Sequence, residues 1–273
     1  MKLIPSQLRP VELIRRKVHN FIRFFHFDTH TTKVGRPAAL SAELAVSFGL
    51  FKQKHGIVTK RAVYEMFKHT LTVTYKTFVA SLNRHAWIAA LILVLVLKLN
   101  RASQHPVKHI DSTIIPVCLL RNAKHHKTMR GIAAFGKSST GSFFGLKLHV
   151  ISDLLGKLQS IMFTPGNTSD KNTDVVLKLA EDIWGLLIAD AGYVSQKLAD
   201  AFNRADRIFM AKPYKNMRKI ATKLQGLLYG TRMLIEKHFR VLKLFYGLVT
   251  SVPRSVNGYF ANYFYALCAY VLA

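Results

Sequence analysis

Apolar residues recur at helical spacing from Leu8 to Phe27, with Arg15, Arg16, Lys17 and Arg23 between them, which predicts a first amphipathic helix. Ser41 to His55 predicts a second, with Ser41 as its N-cap and Gly56 just past its end. Thr59 to His69 and Thr74 to His85 follow as two short helices. The first is expected to bury Val63, Met66 and Phe67, the second Tyr75, Phe78, Val79 and Leu82. A pair so closely joined resembles a helix-turn-helix whose second member presents Lys76 and Arg84. An ordinary helical bundle accounts for the same spacing equally well. Ala86 to Leu97 is an unbroken apolar run, shorter than the roughly 20 residues that span a bilayer, and reads as a buried helix. So does the uncharged tail Ser255 to Ala273, which Asn257, Gly258 and Asn262 interrupt. No membrane partner and no cleavable leader are expected.

The period changes after Gln104. Lys108 to Val117, Gly141 to Ile151 and Lys157 to Phe163 are short β-branched or aromatic runs bounded by Gly, Pro or Ser, and read as strands. Asn167 to Trp184 reads as a helix, Leu186 to Asp190 as a strand, Ser195 to Phe202 as a helix and Arg207 to Ala211 as a strand. One long helix is expected from Leu228 to Tyr246. Three strands followed by alternating helices and strands predict an α/β fold, a mixed sheet flanked by helices, in the order of ribonuclease-H-like folds. Residues 1–104 are then a helical N-terminal domain and 105–273 the sheet domain.

Charge changes this picture. The chain has 40 Lys and Arg against 14 Asp and Glu, a formal net charge of +26. Residues up to Gln104 hold 17 basic and 4 acidic side chains, so both halves share the excess. Such a surface repels itself, and a polyanion relieves the repulsion; nucleic acid is the first candidate partner. Two cysteines, Cys118 and Cys268, make neither a disulfide framework nor a four-ligand zinc site, which points to a reducing compartment.

Against this background the few acids stand out. Asp111 is the only Asp or Glu between Glu65 and Asp153, and it lies in the first strand of the second half. Asp190 ends the strand Leu186 to Asp190, and Glu236 is the only acid in 207–273, among eleven Lys and Arg. Three converging carboxylates repel one another unless cations bind them, and oxygen-only donors favour Mg²⁺ or Mn²⁺. Two such ions, about 3.5–4 Å apart, suit phosphodiester chemistry. On a continuous helix Tyr229, Arg232, Glu236 and Lys243 fall within about 60° of arc at ~100° per residue. A stripe of carboxylate, cations and phenol suits a metal-and-phosphate site. The alternative is a strand cap at Asp111, a turn at Asp190 and a solvated i,i+4 pair between Arg232 and Glu236.

Tyr229-x2-Arg232-x3-Glu236-x6-Lys243, with Asp111-Ser-Thr and Asp190-Ala-Gly-Tyr193, resembles the DDE transposases of bacterial insertion sequences. The block Arg130 to His149, then Thr164-Pro-Gly-Asn167 with Asp170, and Pro253-Arg-Ser255 before the apolar tail, resemble the insertion-sequence 982 group with its YREK signature. The resemblance implies a ribonuclease-H-like catalytic domain behind a helical DNA-binding domain. It implies a metal triad of Asp111, Asp190 and Glu236 holding two Mg²⁺ or Mn²⁺ ions. It places Arg232 and Lys243 on DNA phosphates, has Tyr193 and Tyr229 shape the pocket, and has Lys127, Lys137 and Lys147 hold the terminal repeat. Structural histidines are expected at His126 and His149, and Arg36 is a minor-groove candidate in the turn Lys33 to Pro37. The group usually carries a lysine after the second aspartate, where this chain has Ala191.

The implied activity is cleavage at element ends and strand transfer into target DNA, with no ATP site. Double-stranded DNA is the partner, as terminal inverted repeats and target, with a homodimer in the synaptic complex and a nucleoid-associated place in a bacterial cytoplasm. The rivals are a catalytically inactive DNA-binding protein derived from a transposase, and a structural RNA-binding protein.

Overall fold

The computed structural model describes residues 5–26, 38–138, 141–214, 222–249 and 253–273. The chain divides into two compact units, Met1–Leu95 with Val241–Ala273, and Val96–Arg240.

The first unit is helical: α1 (Pro5–Phe24), α2 (Ala42–Lys54), α3 (Lys60–Phe67), α4 (Tyr75–Arg84), the first part of α5 (Ala86–Ala102) and, after the sheet unit, α10 (Val256–Val271). Hydroxyl caps set the starts. Ser41 accepts from the Leu44 N–H at 3.3 Å, Thr59 from Ala62 at 3.1 Å and Thr74 from Thr77 at 3.3 Å. Gly56 follows α2 at a φ of 61°, a conformation that side chains with a Cβ resist. Phe48 and Phe51 of α2 pack on Phe67, and Phe48 also meets Phe78 of α4. Met66, expected inside, is instead 49% exposed.

The C-terminal helix completes this unit. The Tyr265 hydroxyl donates to the Leu82 carbonyl at 2.7 Å, and its ring fills the space left by Gly49. Gln53 Nε2 donates to Asn262 Oδ1 at 2.8 Å. The sequence boundary at 104/105 assigned this helix to the sheet domain. A helix apolar on nearly every face needs cover on several sides, and α2 and α4 provide it.

The apolar run of α5 buries Ile88, Ala89, Ile92 and Leu93 but exposes Trp87, Leu91 and Val94, so it is buried on one face only. By length and composition Tyr75–Ala102 is enough to cross a membrane, with 33% of its apolar window buried within the fold.

The second unit is a six-stranded mixed sheet, β1 (Val107–Pro116), β2 (Ala134–Ser138), β3 (Gly141–Asp153), β4 (Leu158–Pro165), β5 (Gly185–Ala189) and β6 (Arg207–Ala211). The order is β2-β3-β1-β5-β6, with β4 also on β3. β1, β3 and β4 are antiparallel neighbours, while β5 and β6 run parallel to β1. Helices α6 (Thr173–Leu179), α7 (Gln196–Phe202), α8 (Lys223–Gly230) and α9 (Met233–Leu244) complete the order; α9 runs on into the first unit. Ile110, Ile151, Leu187 and Phe209 bury one sheet face with Val176 and Leu179 of α6 and Leu198 and Phe202 of α7.

Three expectations change. β2, Ala-Phe-Gly-Lys-Ser, has little intrinsic strand preference and forms by pairing with Gly141–Gly145 of β3. The helix expected over Asn167–Trp184 contracts to Thr173–Leu179, because Asn172 caps it late and the chain must turn at Gly185 (φ 80°) into β5. The long helix expected over Leu228–Tyr246 breaks at Thr231 and Arg232. There the Thr231 hydroxyl bonds both the Leu228 carbonyl at 2.6 Å and His109 Nε2 at 2.8 Å.

Candidate active site

β1 and β5 are parallel, and their ladder ends where Ile110 faces Ala189. The next residue on each strand is an aspartate, Asp111 and Asp190. Asp111 therefore sits in mid-β1, just past the end of its ladder with β5, beside Asp190, which follows the carboxyl end of β5, where α/β sheets gather ligands. Period-two alternation puts His109 and Asp111 on the face opposite Ile110. His109 anchors Thr231 on that face, and the next residue, Arg232, reaches the acids.

The Arg232 guanidinium joins all three carboxylates. Nη1 lies 3.2 Å from Asp111 Oδ2 and 3.7 Å from Asp190 Oδ2, and Nη2 lies 2.6 Å from Glu236 Oε1. The two aspartate oxygens are thus no farther apart than the sum of their distances to one nitrogen. Glu236 sits in the first turn of α9, where an acid also complements the helix dipole. Asp111 is the most enclosed of the three, its side chain 19% exposed against 55% for Glu236. Burial pushes its carboxyl up to about 6; the Ser112 N–H and Arg232 oppose this, while Asp190 and Asp170 add to it.

A fourth carboxylate stands behind these. Asp170 Oδ1 accepts from Ser112 Oγ at 2.7 Å and from Lys147 Nζ at 3.0 Å. Tyr193 is buried in the same region, its phenol driven well above the ordinary value by burial and then by the charges of Asp111 and Asp170. His149 is fully buried and bonds Thr164 Oγ1 at 2.9 Å; burial lowers it to about 4, which suits a neutral structural ring.

The other expected residues are placed less centrally. Tyr229 is on α8 and donates to the Ala211 carbonyl at 3.1 Å, so the break after α8 removes it from the stripe of Arg232 and Glu236. Lys147 is nearly buried and committed to Asp170, while Lys127 and Lys137 are exposed on the loop before β2 and on β2 itself. Lys243 ends α9 in the other unit. Arg36 lies outside the described residues. Sequence reading missed the tie between Ser112, Asp170 and Lys147; the partners lie 58 and 23 residues from Asp170, beyond any local pattern.

Residues 101–255 match the family described as the transposase DDE domain. Among solved structures, the piggyBac transposase synaptic complex with hairpin DNA aligns over 96% of this chain and 71% of its own, at 9% identity and a TM-score of 0.54. The Mos1 mariner paired-end complex with Mn aligns over 93% and 84% at 10% identity, and the Mos1 paired-end complex with the left transposon end over 88% and 81% at 12%. Their TM-scores of 0.27 and 0.26 are too low to add to the comparison. No curated protein matches by sequence. The family match spans more than half of the chain and encloses all four carboxylates gathered around Arg232 and Ser112: the chain belongs to the DDE transposases.

Proposed function

We propose that this transposase cuts DNA at the ends of its own mobile element and joins them to target DNA, with Asp111, Asp190 and Glu236 as its acidic triad and two Mg²⁺ or Mn²⁺ ions as cofactors. The observation that carries the reading is the convergence of three carboxylates, from the middle of β1, the end of β5 and the start of α9, on one cationic group.

The donors fit a divalent cation: all are oxygen, all are anionic, and they already surround a positive charge. As the side chains lie, no three His, Cys, Asp or Glu among the described residues are spaced to hold a metal ion, so Arg232 has to swing out first. Asp111, Asp190 and Glu236 would hold the divalent cations, which would supply activation of the attacking oxygen and neutralisation of the leaving one. The chain's own groups do the rest. The Ser112 N–H, 2.8 Å from Asp111 Oδ1, keeps that carboxylate aimed. Arg232, once released, offers its planar fork to the scissile phosphate. Both steps are in-line displacements at phosphorus, by water first and then by the freed 3′-hydroxyl.

The wider reading follows the resemblance. The β4-β3-β1-β5-β6 order supports a ribonuclease-H-like catalytic unit of the insertion-sequence 982 type. The α3–α4 pair supports DNA binding by the helical unit. Tyr193 and Tyr229 shape the pocket, Lys243 meets DNA phosphates, Lys127 and Lys137 hold the terminal repeat, Arg36 enters a minor groove, and Lys147 acts through Asp170. The synaptic assembly of the piggyBac comparison structure supports pairing of two element ends, and the reading adds a homodimer that acts at the nucleoid of a bacterial cytoplasm.

Asp111→Asn in the full chain, assayed on an end-containing duplex with Mg²⁺, is expected to lose cleavage by roughly 10³-fold or more while keeping end binding. Unchanged cleavage removes the triad assignment. Ala191 and the closure by Arg232 favour a second reading, a catalytically silent DNA-binding protein. Under it the unaltered chain binds ends and cuts nothing.

A further inference from the structure

A groove of about 830 Å³ opens within the helical unit, between the start of α3, the start of α4 and the start of α10. Among the described residues five cations line it, Lys52, Lys60, Arg61, Lys76 and Arg254, and no acid does. Among the described residues only Arg61 of these is paired with a carboxylate, Glu65 at 2.6 Å. Lys52 is 4% exposed and donates to Gln53 Oε1 at 2.9 Å, while Lys60 donates to Asn83 Oδ1. Neutral amides solvate both ammonium groups, and no carboxylate among the described residues pairs with either. Lys52 and Lys60 are each lowered to about 8, Lys60 by burial and Lys52 by burial and then by the charge of Lys60. Buried ammonium groups without an anion are costly, and an anion removes the cost.

The backbone points the same way. Thr59, Lys60 and Arg61 are the cap and first two residues of α3, Tyr75 and Lys76 begin α4, and Ser255 caps α10. Each capping hydroxyl takes one N–H, which leaves the other first-turn amides of three helices without helical partners at the groove. Helix starts carry partial positive charge and receive phosphate.

We propose that this groove is a phosphate site that seats successive phosphates of a DNA backbone, with Arg254 of the C-terminal segment as a required part. Its DNA source rests on the DNA-binding reading of the helical unit; the anion site itself does not. A single carboxylate would leave most of these charges unmatched, whereas a backbone brings a row of anions.

The full chain carrying Arg254→Gln and Lys76→Gln tests this, since both side chains are exposed and the fold should stand, as circular dichroism would check. Duplex binding is followed by anisotropy across a KCl series, and pyrophosphate binding by calorimetry, with Lys98→Gln as an exposed control outside the groove. The double variant should bind duplex about tenfold more weakly or worse, with a salt slope shallower by about 2, and lose pyrophosphate binding. The control should leave both near the unaltered values. Duplex affinity and slope unchanged in the double variant overturn the groove while the DNA-binding reading stands. An unaltered chain that ignores duplex but binds pyrophosphate through these residues keeps the anion site and overturns its DNA source. An unaltered chain that binds neither overturns both.

Discussion

Arg232 holds the position that three carboxylates define, and its side chain is only 20% exposed, so its charge is poorly screened. Without it Asp111 in mid-β1 and Asp190 just after β5 repel each other, whereas Glu236 is more than half exposed and contributes less. Arg232→Met keeps much of the packing and removes the cation. In EDTA it is expected to lose about 1–3 kcal/mol, as a buried acceptor loses its charged partner. That is several degrees of Tm at this chain length. Millimolar Mg²⁺ should raise the Tm of the variant more than that of the unaltered chain, because an ion that binds only the folded carboxylates stabilises the fold by mass action. Equal melting in EDTA, with no Mg²⁺ response, would contradict the electrostatic account.

Among the elements, α2 and α10 depend on a missing side chain. A Cβ at Gly49 would lie 2.4 Å from the Tyr265 ring, which is fully buried and tied through its hydroxyl to Leu82. Gly49→Ala improves helix propensity by up to about 1 kcal/mol. Overpacking of a filled core costs about 1–3 kcal/mol. The second effect wins because the ring has no exposed side to move toward, so a net loss of stability is expected in urea unfolding; a gain would mean that α10 shifts freely. The start of α9 follows similar reasoning. Helical spacing correctly joins Arg232 to Glu236 four residues on, but the Thr231 hydroxyl, bonded to Leu228 and His109, ends α8 before Tyr229 can join them.

For the whole molecule, the path of the chain matters more than its linear halves. The helical unit takes Val241–Ala273 from beyond the sheet, and α10 supplies it with Tyr259, Tyr263, Tyr265 and Leu267, all buried. A chain ending at Arg240 should therefore lose more helical circular dichroism than the missing residues account for, with new proteolytic cuts in α2–α4. The sheet unit contains its own core and should resist. Cuts confined to the new end would mean that α1–α5 fold without α10.

Much was legible in the sequence because it depends on local rules. Ser41 marked a helix start as a hydroxyl cap, the helical ranges opened at Thr59, Thr74 and Ser255, which cap their helices in the same way, and β-branched or aromatic runs marked β1, β3 and β4. The three scarce acids were visible because negative charge is scarce in so basic a chain. β2 was not visible, since its residues form a strand only against β3. Asp170 was visible within a motif, but its tie to Ser112 and Lys147 was not, because those partners lie 58 and 23 residues away. Nor was the role of Arg232 between the carboxylates, which follows from the parallel pairing of β1 with β5 and the anchoring of Thr231 by His109. Sequence alone determined where most of the helical unit's helices start and which residues are apolar or anionic, because caps, backbone propensity and side-chain chemistry act within a few residues. Only the tertiary structure decided which charges meet and which unit the C-terminal helix joins, because those outcomes depend on strand pairing and burial between residues far apart in the chain.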